Sequence, residues 1–322
     1  MIKTSFFKSI WRLIVVSVFV GFSVGSGAIA QKFTLPVIPD TQEEVTRNRG
    51  MFFSRIEWLA AKADSLKAPM VLHVGDLVNF DNFDQWELAS VGMKILDRAN
   101  IPYAIAVGNH DTEAVGEFSG SAAPGNVNAN LRKTQKFNYF FPVSRFPLQK
   151  GRFERNKSDN SYYLFEAGGL KWIVIALEFC ARDTAAKWMD QTLKKFPDHN
   201  AIILTHYHLT PKGEINVNNA GYGDMSIVSI YDNYIKPNKN VVLVLSGHVC
   251  YSAWRKDVGT NGNTICQILT DYQCKDNGGG YLRLLDIDTQ KGTIEAKMYS
   301  PYYKKTLDDD SRFSITGVTF VK

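Results

Sequence analysis

The first third of the chain alternates short apolar runs with stretches whose apolar residues recur at helical spacing. The apolar runs cover residues 35–39, 70–74 and 103–107, and each predicts a short buried strand. Between them, residues 46–66 and 85–99 carry the spacing of amphipathic helices. Strands that alternate with helices in this way indicate a parallel sheet with right-handed crossovers.

The rest of the chain adds further strands and one more helix. Three buried strands are predicted at 171–177, 201–204 and 241–245, and a helix at 185–196. Four antiparallel strands are predicted after them, at 264–270, 281–287, 293–299 and 314–321. Because no internal repeat or low-complexity linker interrupts the pattern, residues 31–322 are predicted to form a single domain.

Residues 112–160 interrupt this alternation of strands and helices. They are rich in small and polar residues and then in Phe, Tyr and Arg, and they follow neither the helical nor the strand period. Two interpretations are open, a segment that contacts a substrate and a plain surface loop. The candidates for substrate contact are Phe137, Tyr139, Phe140 and Arg145.

The first thirty residues differ from the rest. Three basic residues precede an apolar run over residues 13–24, and small residues follow up to Ala30. This order predicts a secretory signal peptide over residues 1–30, with a mature chain that begins near Gln31. The alternative, an uncleaved membrane anchor, is disfavoured because the apolar run is short and diluted by Gly and Ser. We therefore expect an exported protein, periplasmic or extracellular, with no stable membrane span once the leader is removed.

The charge balance argues against nucleic acid as a partner. The 322 residues include 37 Lys and Arg against 32 Asp and Glu, a net charge of +5. Residues 1–30 hold three of the basic residues and none of the acidic ones, so the remainder carries +2. Such a surface offers no basic track for a phosphate backbone, so no nucleic-acid partner is expected and a secreted nuclease is disfavoured.

Four cysteines remain to be assigned: Cys180, Cys250, Cys266 and Cys274. Export permits disulfides, and four cysteines allow three full pairings. Cys266 and Cys274 are nearest along the chain and would be the easiest to bridge, but the pairing stays open at this point.

Polar residues of metal-ligand type follow five of the predicted strands: Asp40, Asp76, Asn109, His206 and His248. Any one of them alone has an ordinary explanation as a turn, a helix cap or a hydrogen-bonded strand end. Together they matter more, because ligands of open α/β sheets bind beyond the carboxyl ends of the strands. Mixed oxygen and nitrogen donors suit Zn, Fe or Mn.

At these positions the sequence resembles the calcineurin-like metallophosphoesterase superfamily, which includes the purple acid phosphatases. The family's five blocks occur in order, as Asp40-Thr41-Gln42, Gly75-Asp76, Gly108-Asn109-His110-Asp111, His206, and Gly247-His248-Val249-Cys250. The resemblance implies an α/β (α+β) fold, a four-layer sandwich of two mixed β-sheets flanked by helices. It also implies two divalent or trivalent metal ions (Mn, Zn or Fe) and a small phosphorylated substrate.

The resemblance further implies a role for each residue. Asp76 would bridge the metals, Asp40 would bind the first, and Asn109, His206 and His248 would complete the second site. His110 would act as general acid, oriented by Asp111. A metal-bound hydroxide would then attack a phosphate mono- or diester.

The chain departs from the family at the first metal site. Gln42 and Cys250 stand where the family usually has His, and Asn79 stands where it has a third carboxylate. Gln42 and Cys250 can themselves bind metal, through the amide oxygen and a thiolate. Otherwise the first site binds weakly and fills only with substrate, or it has lost its metal. A disulfide from Cys250 to Cys266 or Cys274 would exclude ligation by Cys250. The alternative function is a catalytically weakened single-metal module that binds a phosphorylated ligand.

Overall fold

The computed structural model describes residues 31–118, 127–219, 221–223 and 225–322. Its strands form two mixed sheets of seven strands each. Sheet A contains β1 (Lys32–Ile38), β2 (Val71–His73), β3 (Tyr103–Ile105), β11 (Leu282–Asp288), β12 (Thr293–Ser300), β13 (Lys305–Thr306) and β14 (Phe313–Thr316). Sheet B contains β4 (Gln149–Arg152), β5 (Ser161–Ala167), β6 (Leu170–Ala176), β7 (Asn200–Leu204), β8 (Val241–Ser246), β9 (Tyr251–Val258) and β10 (Thr264–Asp271).

The helices lie in the connections between these strands. They are α1 (Gln42–Arg47), α2 (Arg49–Leu66), α3 (Phe83–Arg98), α4 (Val127–Leu131), α5 (Gln135–Phe140), α6 (Asp183–Lys195) and α7 (Ile227–Ile230). A π-helix, Tyr231–Ile235, and two 3₁₀ turns, Val143–Arg145 and Asp276–Gly278, complete the set. Of the residues that the structure describes, no helix combines the length and the apolar character needed to cross a membrane.

The helices pack on the two sheets through their apolar faces. Helices α2 and α3 pack their apolar residues into the same core as the strands of sheet A, with Phe52 and Trp86 fully buried. Helix α6 covers sheet B through Met189 and Leu193. The prediction of two mixed sheets flanked by helices is confirmed. This arrangement buries both faces of the parallel strands, as such strands require.

Parallel pairing brings the strand ends together. β1, β2 and β3 are parallel neighbours in sheet A, and β6, β7 and β8 are parallel neighbours in sheet B. The chain therefore leaves all strands of one set at the same edge of its sheet. The two edges meet, because the N–H of His248, after β8, donates to Asp40 Oδ2, after β1, at 3.1 Å.

Some predicted elements need correction. The last predicted strand, 314–321, ends at Thr316 as β14, because Gly317 follows with φ +70°. Residues 112–160, part of which lies outside the described residues, contain α4, α5 and β4. Phe137 is buried in the core, and Arg145 pairs with Asp97 at 2.9 Å, so both have structural contacts. The predicted signal peptide, residues 1–30, lies outside the described residues and stays a prediction.

Candidate metal centre

The centre is built on two loops that follow neighbouring strands of sheet A. Asp111 Oδ2 accepts hydrogen bonds from the N–H groups of Asp76 at 2.8 Å and Gly108 at 2.9 Å, and its Oδ1 accepts from Leu77 N–H at 2.8 Å. In return, the N–H of His110 donates to Asp76 Oδ1 at 3.0 Å. These charge-assisted bonds hold the loop after β2 and the loop after β3 together, and so they fix the carboxylate of Asp76.

Side chains from sheet B converge on Asp76. His206 Nε2 lies 3.1 Å from Asp76 Oδ2 and 3.9 Å from Asp40 Oδ2. His248 Nδ1 lies 3.2 Å from His206 Nε2. Asp76, His206 and His248 each offer one ligand atom, and these atoms all lie within 4.8 Å of one another. The structure thus gathers four of the predicted ligands at the edge where the two sheets meet.

The hydrogen bonding of His206 indicates which ring nitrogen can bind a metal. Its Nδ1 lies 2.8 Å from the carbonyl oxygen of Val74, which can only accept, so Nδ1 carries a hydrogen. Nε2 is then the nitrogen that faces the carboxylates, as in histidines that bind metal through one nitrogen and a carbonyl through the other. Burial alone would lower the pKa of His206, but Asp76, the Val74 carbonyl and Asp111 together more than offset this, and the pKa lies above its ordinary value.

Buried carboxylates crowd the centre. Burial, with the charges of Asp271 and Asp76, raises the pKa of Asp40 well above its ordinary range. Burial raises the pKa values of Asp111 and Asp271 to about 7 each. For Asp76 burial acts in the same direction, but interactions with His206 and His110 outweigh it, and the pKa is lowered. Cations bound among these carboxylates would offset their mutual repulsion.

Three buried oxygens supply the test of whether these residues fit a metal. Asp40 Oδ1, Gln42 Oε1 and Asn109 Oδ1 have no hydrogen-bond partner among the described residues. A buried acceptor without a donor costs about 1–3 kcal/mol, so each of the three calls for a compensating ligand. Oxygen donors beside imidazoles are the set that Zn, Mn or Fe prefers. The residues present therefore fit a metal centre.

Glycines in the same loops allow the ligands to approach the backbone. A Cβ at Gly108 would overlap Asp76 Oδ1, and a Cβ at Gly247 would overlap Asp40 Oδ1. Asp76 and His248 have φ values of +53° and +74°, which cost a non-glycine residue about 1–3 kcal/mol each. The Gly108-Asn109 and Gly247-His248 pairs of the sequence thus have a steric reason at this site.

His110 lies half-buried beside Asp76, and the orienting role expected for Asp111 is corrected. His110 Nδ1 lies 2.7 Å from the carbonyl oxygen of Asn79, whereas both carboxylate oxygens of Asp111 accept from backbone N–H groups. Asn79 therefore fixes the ring of His110, and Asp111 positions the loops that carry Asp76 and His110. Because Nδ1 is engaged by the carbonyl, Nε2 is the ring nitrogen that can carry a proton to a substrate.

The structure also corrects the expectation of a Cys250 thiolate. Cys250 forms a disulfide with Cys274, so it has no free thiolate for a metal. Cys266, which is closer to Cys274 in sequence, is a buried free cysteine, as is Cys180. Gln42 remains a candidate ligand through its unpartnered Oε1.

Three aromatic rings that no sequence pattern predicted lie against His248, on one side of the centre. The ring centroids of Phe179, Tyr207 and Tyr222 lie 5.0, 4.8 and 6.0 Å from that of His248. Phe179 follows β6, the neighbour of β7, so its place at a strand end could have flagged it. Tyr222 belongs to a loop with no periodic pattern, and nothing in the sequence points to it.

Two further titratable residues, His208 and Asp271, are buried. His208 is buried away from the centre, with Nε2 2.6 Å from Gln267 Oε1. Asp271 is fully buried, and its charge raises the pKa of Asp40. Asp271 also lines a cavity of about 580 Å³ together with Tyr251 and Tyr272.

Carboxylate and imidazole groups thus lie together at the edge where the two sheets meet. The family model for calcineurin-like phosphoesterases matches residues 35–252, and the chain belongs to this family. The resemblance found in the sequence is thereby confirmed. The family is one of hydrolases that act on phosphoester bonds.

The chain is also similar to one curated protein and to solved structures. It is 34% identical over 283 residues to the uncharacterised protein YvnB of Bacillus subtilis (strain 168), a match that covers 84% of this chain and 20% of that protein. The chain thus spans about a fifth of the length of this curated relative. Among solved structures, it is similar to the purple acid phosphatase PPD1 of yellow lupin, with a TM-score of 0.53 and 12% identity over 89% of this chain and 54% of that one. This second likeness shows the fold.

Proposed function

We propose that the protein is an exported metallophosphoesterase that hydrolyses small phosphate mono- or diesters, with His110 as general acid. The observation that carries the proposal is the set of unpartnered oxygens of Asp40, Gln42 and Asn109 beside the cluster of Asp76 with two imidazoles. When bound, two metal ions of the Mn, Zn or Fe type would lower the pKa of a water molecule and offset phosphoryl charge.

The position of each residue suggests its role in holding the two ions or in moving a proton. Asp76 lies between the donors from both sheets and would be shared by the two ions. Asp40 and Gln42 would hold the first ion. The second ion would be held by Asn109, His206 and His248. His110, set by the Asn79 carbonyl, would deliver its proton from Nε2 to the leaving oxygen.

The nearby cavity and the disulfide support two further parts of the proposal. A cavity of about 580 Å³ is of the size that holds a small organic leaving group rather than a polymer. The Cys250–Cys274 disulfide is typical of an oxidising compartment, which supports export to the periplasm or beyond the cell. The charge balance favours a small phosphorylated substrate over nucleic acid.

A single observation favours the alternative function. Because Cys250 is held in a disulfide, the first site has fewer donors than the family usually supplies. If these donors are too few to hold the first ion, the protein would be a single-metal module that binds a phosphorylated ligand without turnover.

Activity measurements separate the two functions. The purified protein is loaded with Mn, Zn or Fe and assayed on p-nitrophenyl phosphate and bis-p-nitrophenyl phosphate. We expect turnover that falls about 100-fold or more in His110→Ala. His199→Ala is the matched control, because His199 precedes β7 at the end of sheet B opposite His206 and should leave turnover unchanged. Wild-type turnover in His110→Ala would refute the acid role. No turnover, with thermal stabilisation by phosphate, would favour the binding module.

A further inference from the structure

Gln42 can hold a metal only if its amide is turned the right way. A glutamine amide presents an oxygen acceptor at one end and an NH₂ donor at the other, and the NH₂ end repels a cation. In the structure Gln42 Nε2 donates to Gln273 Oε1, and Gln42 Oε1 is buried without a hydrogen-bond partner among the described residues. The contact with Gln273 therefore leaves the oxygen end as the unpartnered one.

The orientation of Gln273 is set by the carbonyl oxygen of His248, which only accepts, and by the Asp271 carboxylate, which accepts in its ionised form. Gln273 Nε2 donates to Asp271 Oδ2 at 3.1 Å and to the carbonyl oxygen of His248 at 3.4 Å, and its N–H donates to Asp271 Oδ1 at 2.9 Å. Turning the Gln273 amide over would place its oxygen against these acceptors. Oε1 of Gln273 thus stays available to accept from Gln42 Nε2. Asp271 and the His248 carbonyl orient the Gln273 amide, and the Gln273 amide in turn orients the Gln42 amide.

Both ends of this amide pair are anchored. The Cys250–Cys274 disulfide ties the residue after Gln273 to the segment that carries His248, with the two Cα atoms 5.7 Å apart. On the other side, Gln42 is the first residue of α1, which is held by the buried ion pair between Glu44 and Arg55. Positions 42 and 250, where the chain departs from the family, are therefore connected: Gln42 contacts Gln273, and Cys250 is bonded to the next residue, Cys274.

We propose that Gln273 is a positioning residue of the metal centre, which turns the Gln42 oxygen toward the first metal and compensates for the absent histidines. The inference rests on the proposed function, since it assigns how the first of two metals is held. Gln273 touches neither substrate nor metal and acts through Gln42.

Metal binding tests this without relying on activity. Metal-free wild-type protein and Gln273→Met are titrated with Mn²⁺ by calorimetry, and the bound metal is counted after desalting. We expect the affinity for one of two Mn²⁺ ions to fall about 10–100-fold in Gln273→Met, with the other unchanged. Gln191→Met, on the exposed side of α6, is the matched control and should bind like wild type.

A double-mutant cycle with Gln42→Glu separates positioning from general loosening. A carboxylate has an oxygen at both ends and needs no partner to orient it. In the Gln42→Glu background, Gln273→Met should therefore change the affinity by no more than about twofold. Gln273→Leu also removes the acceptor toward Gln42, so it should lose the same affinity for the first Mn²⁺, and it serves as the second variant if the Met variant folds poorly.

The outcomes are distinct. Two Mn²⁺ ions bound with unchanged affinity in Gln273→Met would overturn the inference and leave the proposed function standing. An equal loss of affinity in both backgrounds would also overturn it, because the role of Gln273 would then be structural. A wild-type protein that binds no Mn²⁺, Zn²⁺ or Fe would overturn the proposed function together with the inference.

Discussion

Gly247→Ala is a small change that should disable the centre while leaving the fold in place. A Cβ at residue 247 would overlap Asp40 Oδ1 and lie 2.7 Å from Val74 Cγ2. Since real Cβ contacts do not fall below 3.0 Å, the Asp40 carboxylate has to retreat by roughly 1 Å. A displacement of about 1 Å in a catalytic array can lower the rate about 100-fold, and such overpacking costs about 1–3 kcal/mol of stability.

The assay is kcat/KM for p-nitrophenyl phosphate at saturating Mn²⁺, with thermal unfolding measured in parallel. Gly50→Ala is the matched control, because Gly50 lies in α2 and its added Cβ would come no closer than 3.4 Å to any neighbour. That variant should keep its activity and gain up to about 1 kcal/mol of stability from helix propensity. Wild-type kcat/KM in Gly247→Ala would refute the packing argument for this glycine and the position assigned to Asp40.

Three further predictions concern stability. Asp111→Asn should lower the free energy of unfolding in urea by about 2–3 kcal/mol, because an amide cannot replace a carboxylate that accepts several backbone N–H groups; an unchanged value would contradict its role. Burial lowers the pKa of His208 from 6.5 to about 4, so the unfolded chain binds the extra proton and stability should fall by up to about 3 kcal/mol as the pH drops from 6.5 to 4. Urea unfolding at pH 7 and pH 4.5 should show a smaller difference in His208→Gln than in wild type. Replacing Cys250 and Cys274 by Ser should cost about 3 kcal/mol, given the 24-residue separation, and should lower Tm in thermal unfolding, whereas an unchanged Tm would argue against the disulfide.

The sequence predicted the parts of the site that follow from sheet geometry. Asp76, His206 and His248 each follow a buried strand, and parallel strands bring their carboxyl ends to one edge. That reasoning needs no knowledge of loop conformation. The candidate ligand atoms of these three residues lie within 4.8 Å of one another.

The sequence could not predict the surroundings of the first metal site, because these depend on the pairing of β9. Tyr251 in β9 lies opposite Asp271 in β10, which brings Cys250 close to Cys274 and leaves Cys266 opposite Lys256. β9 is largely exposed and shows no apolar period, so neither the strand nor its register could be derived. The nearest cysteines in sequence are thus not the ones that pair.

Local conformation explains the other correction. In the sequence, Asp111 next to His110 suggested an orienting carboxylate. The turn after β3 instead directs Asp111 to the backbone of the neighbouring loop. The carbonyl oxygen of Asn79 forms the hydrogen bond with the ring of His110. Backbone dihedral angles decide whether Asp111 or the Asn79 carbonyl contacts the His110 ring. Hydrophobic periodicity carries no information about these angles.

The central claim is that donors from both sheets hold metal around Asp76. Anomalous diffraction at the Mn edge, from crystals grown with Mn²⁺, tests it most directly. We predict two anomalous peaks that flank the Asp76 carboxylate, one bonded to Asp40 and Gln42 and the other to Asn109, His206 and His248. Diffraction data with no anomalous peak within bonding distance of Asp76 would contradict the account.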